Sequence, residues 1–154
     1  MRSRRTGRVA ALVLSSVAAL TLAACSLEGP ILDGPIAVNL HVHTTDTAIE
    51  VDAPGWFAER SRVYVCHADP PLLPEPGPDR LGWEPGSACH AYGVIEGDDG
   101  LVASLPIADL LGEQGADFAA AEAWYLLMLE VDAEDRVLGA VRSRFDVPDA
   151  IRAS

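Results

Sequence analysis

An all-β protein, a single antiparallel β-sandwich of about seven short strands with one short helical turn, is the architecture this chain predicts. Three observations lead there. Segments of strand length alternate apolar and polar residues, clusters of Gly, Pro and Asp separate them, and two cysteines, Cys66 and Cys89, flank a proline-rich stretch.

The alternation begins at residue 36. Ile36, Val38, Leu40 and Val42 are apolar while Asn39, His41 and His43 between them are polar, the period of a half-buried strand. A short run at 48–51 follows the turn-like Asp46-Thr47. Pro54-Gly55 breaks the chain. Residues 62–68 then read as a strand with Val63, Val65 and His67 on one face and Tyr64, Cys66 and Ala68 on the other, so Cys66 is expected to point inward with Tyr64.

Residues 69–86 hold six of the eleven prolines and three glycines, a composition that neither propagates a helix nor donates a full sheet ladder. This is a long loop carrying Leu72, Leu73, Leu81 and Trp83. It either faces a partner or folds back as a lid on the core, and the apolar residues favour the lid.

Residues 89–95 predict a strand with Cys89, Ala91, Gly93 and Ile95 on one face. Gly97-Asp98-Asp99-Gly100 reads as a turn and 101–105 as the returning strand of a hairpin. Residues 106–112, opened by Pro106 and closed by Gly112, predict a single helical turn. From 113 to 131 the sequence supports strand or helix: 116–123 has helix-forming composition, and 124–131 is an apolar run of strand length. Asp132-Ala133-Glu134-Asp135 and the alternating run 136–145, with Val137, Gly139, Val141, Ser143 and Phe145 sharing a face, favour a closing hairpin.

This layout is similar to immunoglobulin-like or fibronectin-III-like extracellular domains. One feature departs from the immunoglobulin pattern: Trp83 lies between the cysteines but in the proline-rich loop, not in a strand.

The residues before the domain have a different character. Arg2, Arg4, Arg5 and Arg8 precede an apolar run at 9–22, the layout of a signal peptide and too short to span a bilayer comfortably. The run ends in Leu22-Ala23-Ala24-Cys25, which resembles the lipobox of bacterial lipoproteins. The resemblance implies cleavage before Cys25, diacylglycerol on the Cys25 thiol, and residence at the cell membrane on its extracytoplasmic face. An ordinary secretory cut after Ala24 is the alternative, and Arg4-Arg5 leaves twin-arginine export open beside the general route. The expected division is therefore a signal peptide at 1–24, a lipidated N-terminus and tether at 25–35, a sandwich at 36–148 and a C-terminal tail at 149–154.

Removing the signal changes the charge. Eleven basic residues less the four before Cys25 leaves seven, against 23 acidic ones, a net charge of −16. There is no lysine and the remaining arginines are scattered, so a nucleic-acid partner is not expected. Attachment to the membrane falls to the lipid, because the acidic domain is repelled by anionic head groups.

With Cys25 claimed by lipid, Cys66 and Cys89 form an even pair in an oxidising compartment, and a disulfide between them is expected. No phosphate loop, nucleophile elbow or paired-histidine metalloprotease motif occurs, so the reading is non-catalytic, with an unknown envelope protein or ligand as partner. The alternative is copper or zinc binding. His41 and His43 share a strand face, and His67 and His90 adjoin the two cysteines, so the four imidazoles are candidate ligands if they converge. An envelope enzyme is the third reading.

Overall fold

The computed structural model describes residues 39–97 and 100–152, and the proposed signal peptide, Cys25 and the tether lie outside them. The described chain is an all-β sandwich. Its strands are β1 His41–Thr44, β2 Ala48–Ala53, β3 Arg60–Cys66, β4 Cys89–Glu96, β5 Leu101–Pro106, β6 Trp124–Val131 and β7 Val137–Phe145. One sheet has the order β1-β2-β5 and the other β4-β3-β6-β7, with every pairing antiparallel.

Period-two burial builds the layers. In β2, Ile49, Val51 and Ala53 are buried while Glu50 and Asp52 are exposed. Between the sheets these meet Leu101 and Leu105 of β5, Val63 and Val65 of β3, and Leu126 and Met128 of β6. Two tryptophans are buried in the same core, and both have their indole N–H satisfied: Trp56 donates to Ser61 Oγ at 2.7 Å and Trp124 to the Phe118 carbonyl at 2.9 Å.

A second apolar cluster lies on the outer face of the four-stranded sheet. Tyr64, Cys66, Leu127, Leu129, Val131 and Val137 form it, and Leu73 and Trp83 of the proline-rich loop pack over it. The loop is thus a lid, which explains why six of the seven residues of β3 are buried: one face looks into the sandwich and the other lies under the loop. Cys66 and Tyr64 do point inward together, but beneath this lid and not between the sheets.

Residues 113–131 resolve into both options in series, a short helix α1 (Gly115–Ala120) and then β6. The helical turn expected at 106–112 is a 3-10 turn at Ile107–Asp109, and a second 3-10 turn, Pro78–Arg80, lies within the loop. Residues 149–152 form α2 (Asp149–Arg152), whose Ile151 joins the inter-sheet core.

The β6–β7 hairpin forms as expected. Asp132 Oδ1 accepts from the N–H groups of Glu134 and Arg136, and Asp135 takes a positive φ of 66°, so the turn is built from the carboxylate that opens it.

Three local expectations are corrected. β4 and β5 are not a hairpin: β4 pairs with β3 and β5 with β2, so the connection at 97–100 crosses between sheets. Glycine suits the end of that connection, since Gly100 has a φ of 98° and a Cβ there would lie 3.0 Å from Pro54 Cα. Asp98 and Asp99 lie outside the described residues. In β4 the pairing skips Tyr92, which stands opposite no residue of β3, so Ile95 turns to the inter-sheet core instead of sharing a face with Cys89. In β7, Leu138 is skipped in the same way, and Val137 joins the outer cluster while Val141 faces the inner one.

Candidate functional site

The Cys66–Cys89 disulfide is present and joins residues directly opposite each other on β3 and β4. It therefore links neighbours within one sheet, whereas the immunoglobulin bridge links the two sheets. β4 lies beside β3 in the same four-stranded sheet, so the bridge departs from that inter-sheet pattern.

The bridge closes a loop that three arginines fasten from above and below. Arg62, 8% exposed, donates to the Trp83 carbonyl at 3.0 Å and the Tyr64 hydroxyl at 3.3 Å, and its Nε lies 3.5 Å from the Asp135 carboxylate. Arg80, 5% exposed, donates from Nε to the Pro74 carbonyl at 2.9 Å and from Nη1 to that of Leu138 at 3.4 Å. Arg142 pairs with Asp69 at the base of the loop. Prolines cannot donate backbone hydrogen bonds, so guanidinium groups supply donors to carbonyls that a proline-rich segment otherwise leaves unmatched. Between loop and sheet remains a cavity of about 60 Å³ bordered by Leu73, Pro74, Trp83, Leu127 and Ala140. Burial raises the Tyr64 phenol above its ordinary range, with the Arg62 charge acting in the opposite direction.

The four histidines do not converge. Val42 packs on the core, so His41 and His43 stand exposed on the outer face of the three-stranded sheet, beside Asp52 and Glu50 of β2. His67 and His90 lie on the opposite sheet, at the end of its inner face. His67 meets Phe118 edge-on at 5.1 Å between ring centroids, and His90 meets Tyr92 at 4.9 Å. The four candidate ligands therefore form no shared site, because different sheets carry the two pairs. Among the described residues no group of three or more His, Cys, Asp or Glu is placed to hold a metal ion.

A polar groove of about 440 Å³ opens beside β4. Cys89, His90 and Ala91 line one side, and Asp109, Leu110, Glu113 and Gln114 line the other. Two hydrogen bonds hold its walls together. The Tyr92 hydroxyl donates to the Pro106 carbonyl at 2.8 Å, and the Gln114 amide donates to the Ser87 carbonyl. Burial first, and the Asp109 charge second, push the Tyr92 phenol well above its ordinary range.

No protein-family model, curated protein or solved structure matches this chain.

Sequence reasoning named His90 but missed Asp109, Glu113 and Gln114, which approach β4 only through the 3-10 turn after β5. It also treated the arginines as scattered charge. The available signal was Arg62 inside an apolar strand, a position that demands partners.

Proposed function

We propose that this chain is a membrane-anchored extracytoplasmic lipoprotein, non-catalytic, whose sandwich serves as a binding module for an envelope protein or ligand. The observation that carries the reading is the Cys66–Cys89 bridge, since disulfides persist outside the reducing cytosol. The run from Arg2 to Cys25 supports the same compartment and supplies the anchor through the lipobox-like Leu22-Ala23-Ala24-Cys25. A lipid is the attachment this domain needs, because a net charge of −16 after cleavage offers nothing to anionic head groups.

The fastened loop suits binding. Leu72 and Leu81 remain more than half exposed on a segment already held by Arg62, Arg80 and Arg142, so little chain entropy is lost when a partner covers it.

The anchor is tested by Cys25→Ser. The wild-type chain expressed in a bacterial host is expected in the membrane fraction, and the variant in the soluble extracytoplasmic fraction. A variant that stays with membranes sinks the lipid reading.

A further inference from the structure

We propose that the outer edge of β4, together with the groove beside it, is a docking site for an extended peptide segment carrying a basic side chain. The inference rests on the binding-module reading above and names its partner class.

β4 has one neighbour, β3, so its other edge is unpaired within the sheet. The direction of its backbone groups follows from one hydrogen bond. The His67 N–H donates to the Ala88 carbonyl at 3.0 Å, which makes 67/88 a hydrogen-bonded pair and, by alternation, 66/89 and 64/91 non-hydrogen-bonded pairs. The carbonyl of Cys89 and both the N–H and carbonyl of Ala91 therefore point away from β3. The Cys89 N–H is taken by the Gly86 carbonyl at 3.3 Å, and among the described residues no backbone group of a turn or loop takes the other three.

Sheet edges of this kind are blunted in proteins by charged side chains, proline or bulges. Residues 89–91, Cys-His-Ala, carry neither lysine nor proline, and the bulge at Tyr92 begins only after them. The edge is therefore open over one short stretch, and the bulge sets its limit. A segment added there gains backbone hydrogen bonds at Cys89 and Ala91, the β-augmentation mode of peptide recognition.

Charge selects the occupant. The wall opposite this open stretch is formed by Asp109 and Glu113, both exposed, with Gln114 fixed to Ser87 beside them. A segment lying along 89–91 has one row of side chains directed across the groove to these carboxylates. An arginine or lysine in that row is matched, and an acidic residue is repelled.

The test is an amide chemical-shift titration of the full chain, purified in mild detergent, with the pentapeptide acetyl-Thr-Val-Arg-Val-Thr-amide. Saturable shifts are expected at Cys89, His90, Ala91 and the amides of 109–114. The Thr-Val-Glu-Val-Thr counterpart should show none. Asp109→Asn and Glu113→Gln should each weaken binding by up to about fivefold, the scale of a partly exposed ion pair. A peptide N-methylated on either side of the arginine should bind more weakly still if backbone pairing contributes. The proposal is overturned if shifts fail to saturate, if they map elsewhere, or if both carboxylate variants and the methylated peptide bind as the originals do. Concentration-dependent shifts of 89–91 without peptide would mean that a second copy pairs there, and would overturn it too. None of these outcomes touches the anchor, which Cys25→Ser fractionation reads separately.

Discussion

Trp124→Ala is expected to destabilise the domain by about 3–5 kcal/mol, the cost of emptying a large buried aromatic site. Trp124 is fully buried at the start of β6. Its ring meets Phe118 edge-on at 5.6 Å between centroids and Phe145 at 6.1 Å, so α1, β6 and the end of β7 share it. Its indole N–H also satisfies the Phe118 carbonyl at 2.9 Å. Trp124→Phe separates the two contributions. It keeps an aromatic ring but leaves that carbonyl without its donor, and a smaller loss of about 1–3 kcal/mol is expected. Equilibrium denaturation of both variants checks the ordering. Equal losses would mean that ring volume contributes nothing beyond the hydrogen bond, contrary to the packing described. A domain stability of about 5–15 kcal/mol leaves the Ala variant near the edge of folding, so the Phe variant carries the quantitative comparison.

Removing the disulfide is the second large effect. A double Cys66→Ala, Cys89→Ala variant should lose about 3 kcal/mol, from a closed loop whose ends are 23 positions apart. The arginine fastenings and the packing of Leu73 and Trp83 do not depend on the bridge. The loop should therefore stay docked in the folded variant, and limited proteolysis at 25 °C should cut residues 67–88 little faster than in wild type. Rapid cleavage confined to the loop would show that the disulfide, not the guanidinium groups, holds it. The same loop should become much more sensitive when Arg62 and Arg80 are replaced with the bridge intact.

The strands were legible because their burial alternates. Ile49, Val51 and Ala53 against Glu50 and Asp52 need no tertiary information. The lid was legible only in part: Leu73 and Trp83 pack over the sheet as their apolar character on a proline-rich loop leads one to expect, whereas Leu72 and Leu81 stay more than half exposed. Other features depended on contacts between distant segments. A bulge at Tyr92 or Leu138 reverses faces, yet one skipped residue leaves the composition of a strand unchanged. That β4 does not turn back on β5 rests on pairings with β3 and β2, distant partners that local pattern does not encode. The groove had the same difficulty. His90 was visible beside Cys89, but Asp109 and Glu113 meet it only after the chain has passed through β5 and the 3-10 turn. The four histidines show the converse error: period two put His41 with His43, and neighbouring cysteines put His67 with His90, but nothing local revealed that the two pairs belong to different sheets.

The acidity of the domain and the arginine positions also form one pattern. Arg60, Arg62, Arg80 and Arg142 each bond to carbonyls or carboxylates of this chain, so much of its limited positive charge is spent internally. The net charge is set by the excess of acidic over basic residues, and a surface of that sign attracts cationic groups and repels anionic ones.

The most direct test of the anchored-module account is intact mass and N-terminal analysis of the chain recovered from membranes. The expected species is a polypeptide beginning at Cys25 whose mass exceeds that of residues 25–154 by a diacylglyceryl group, with Cys66 and Cys89 oxidised to each other. A chain that still begins at Met1, or one beginning at Cys25 with an unmodified thiol, would contradict it.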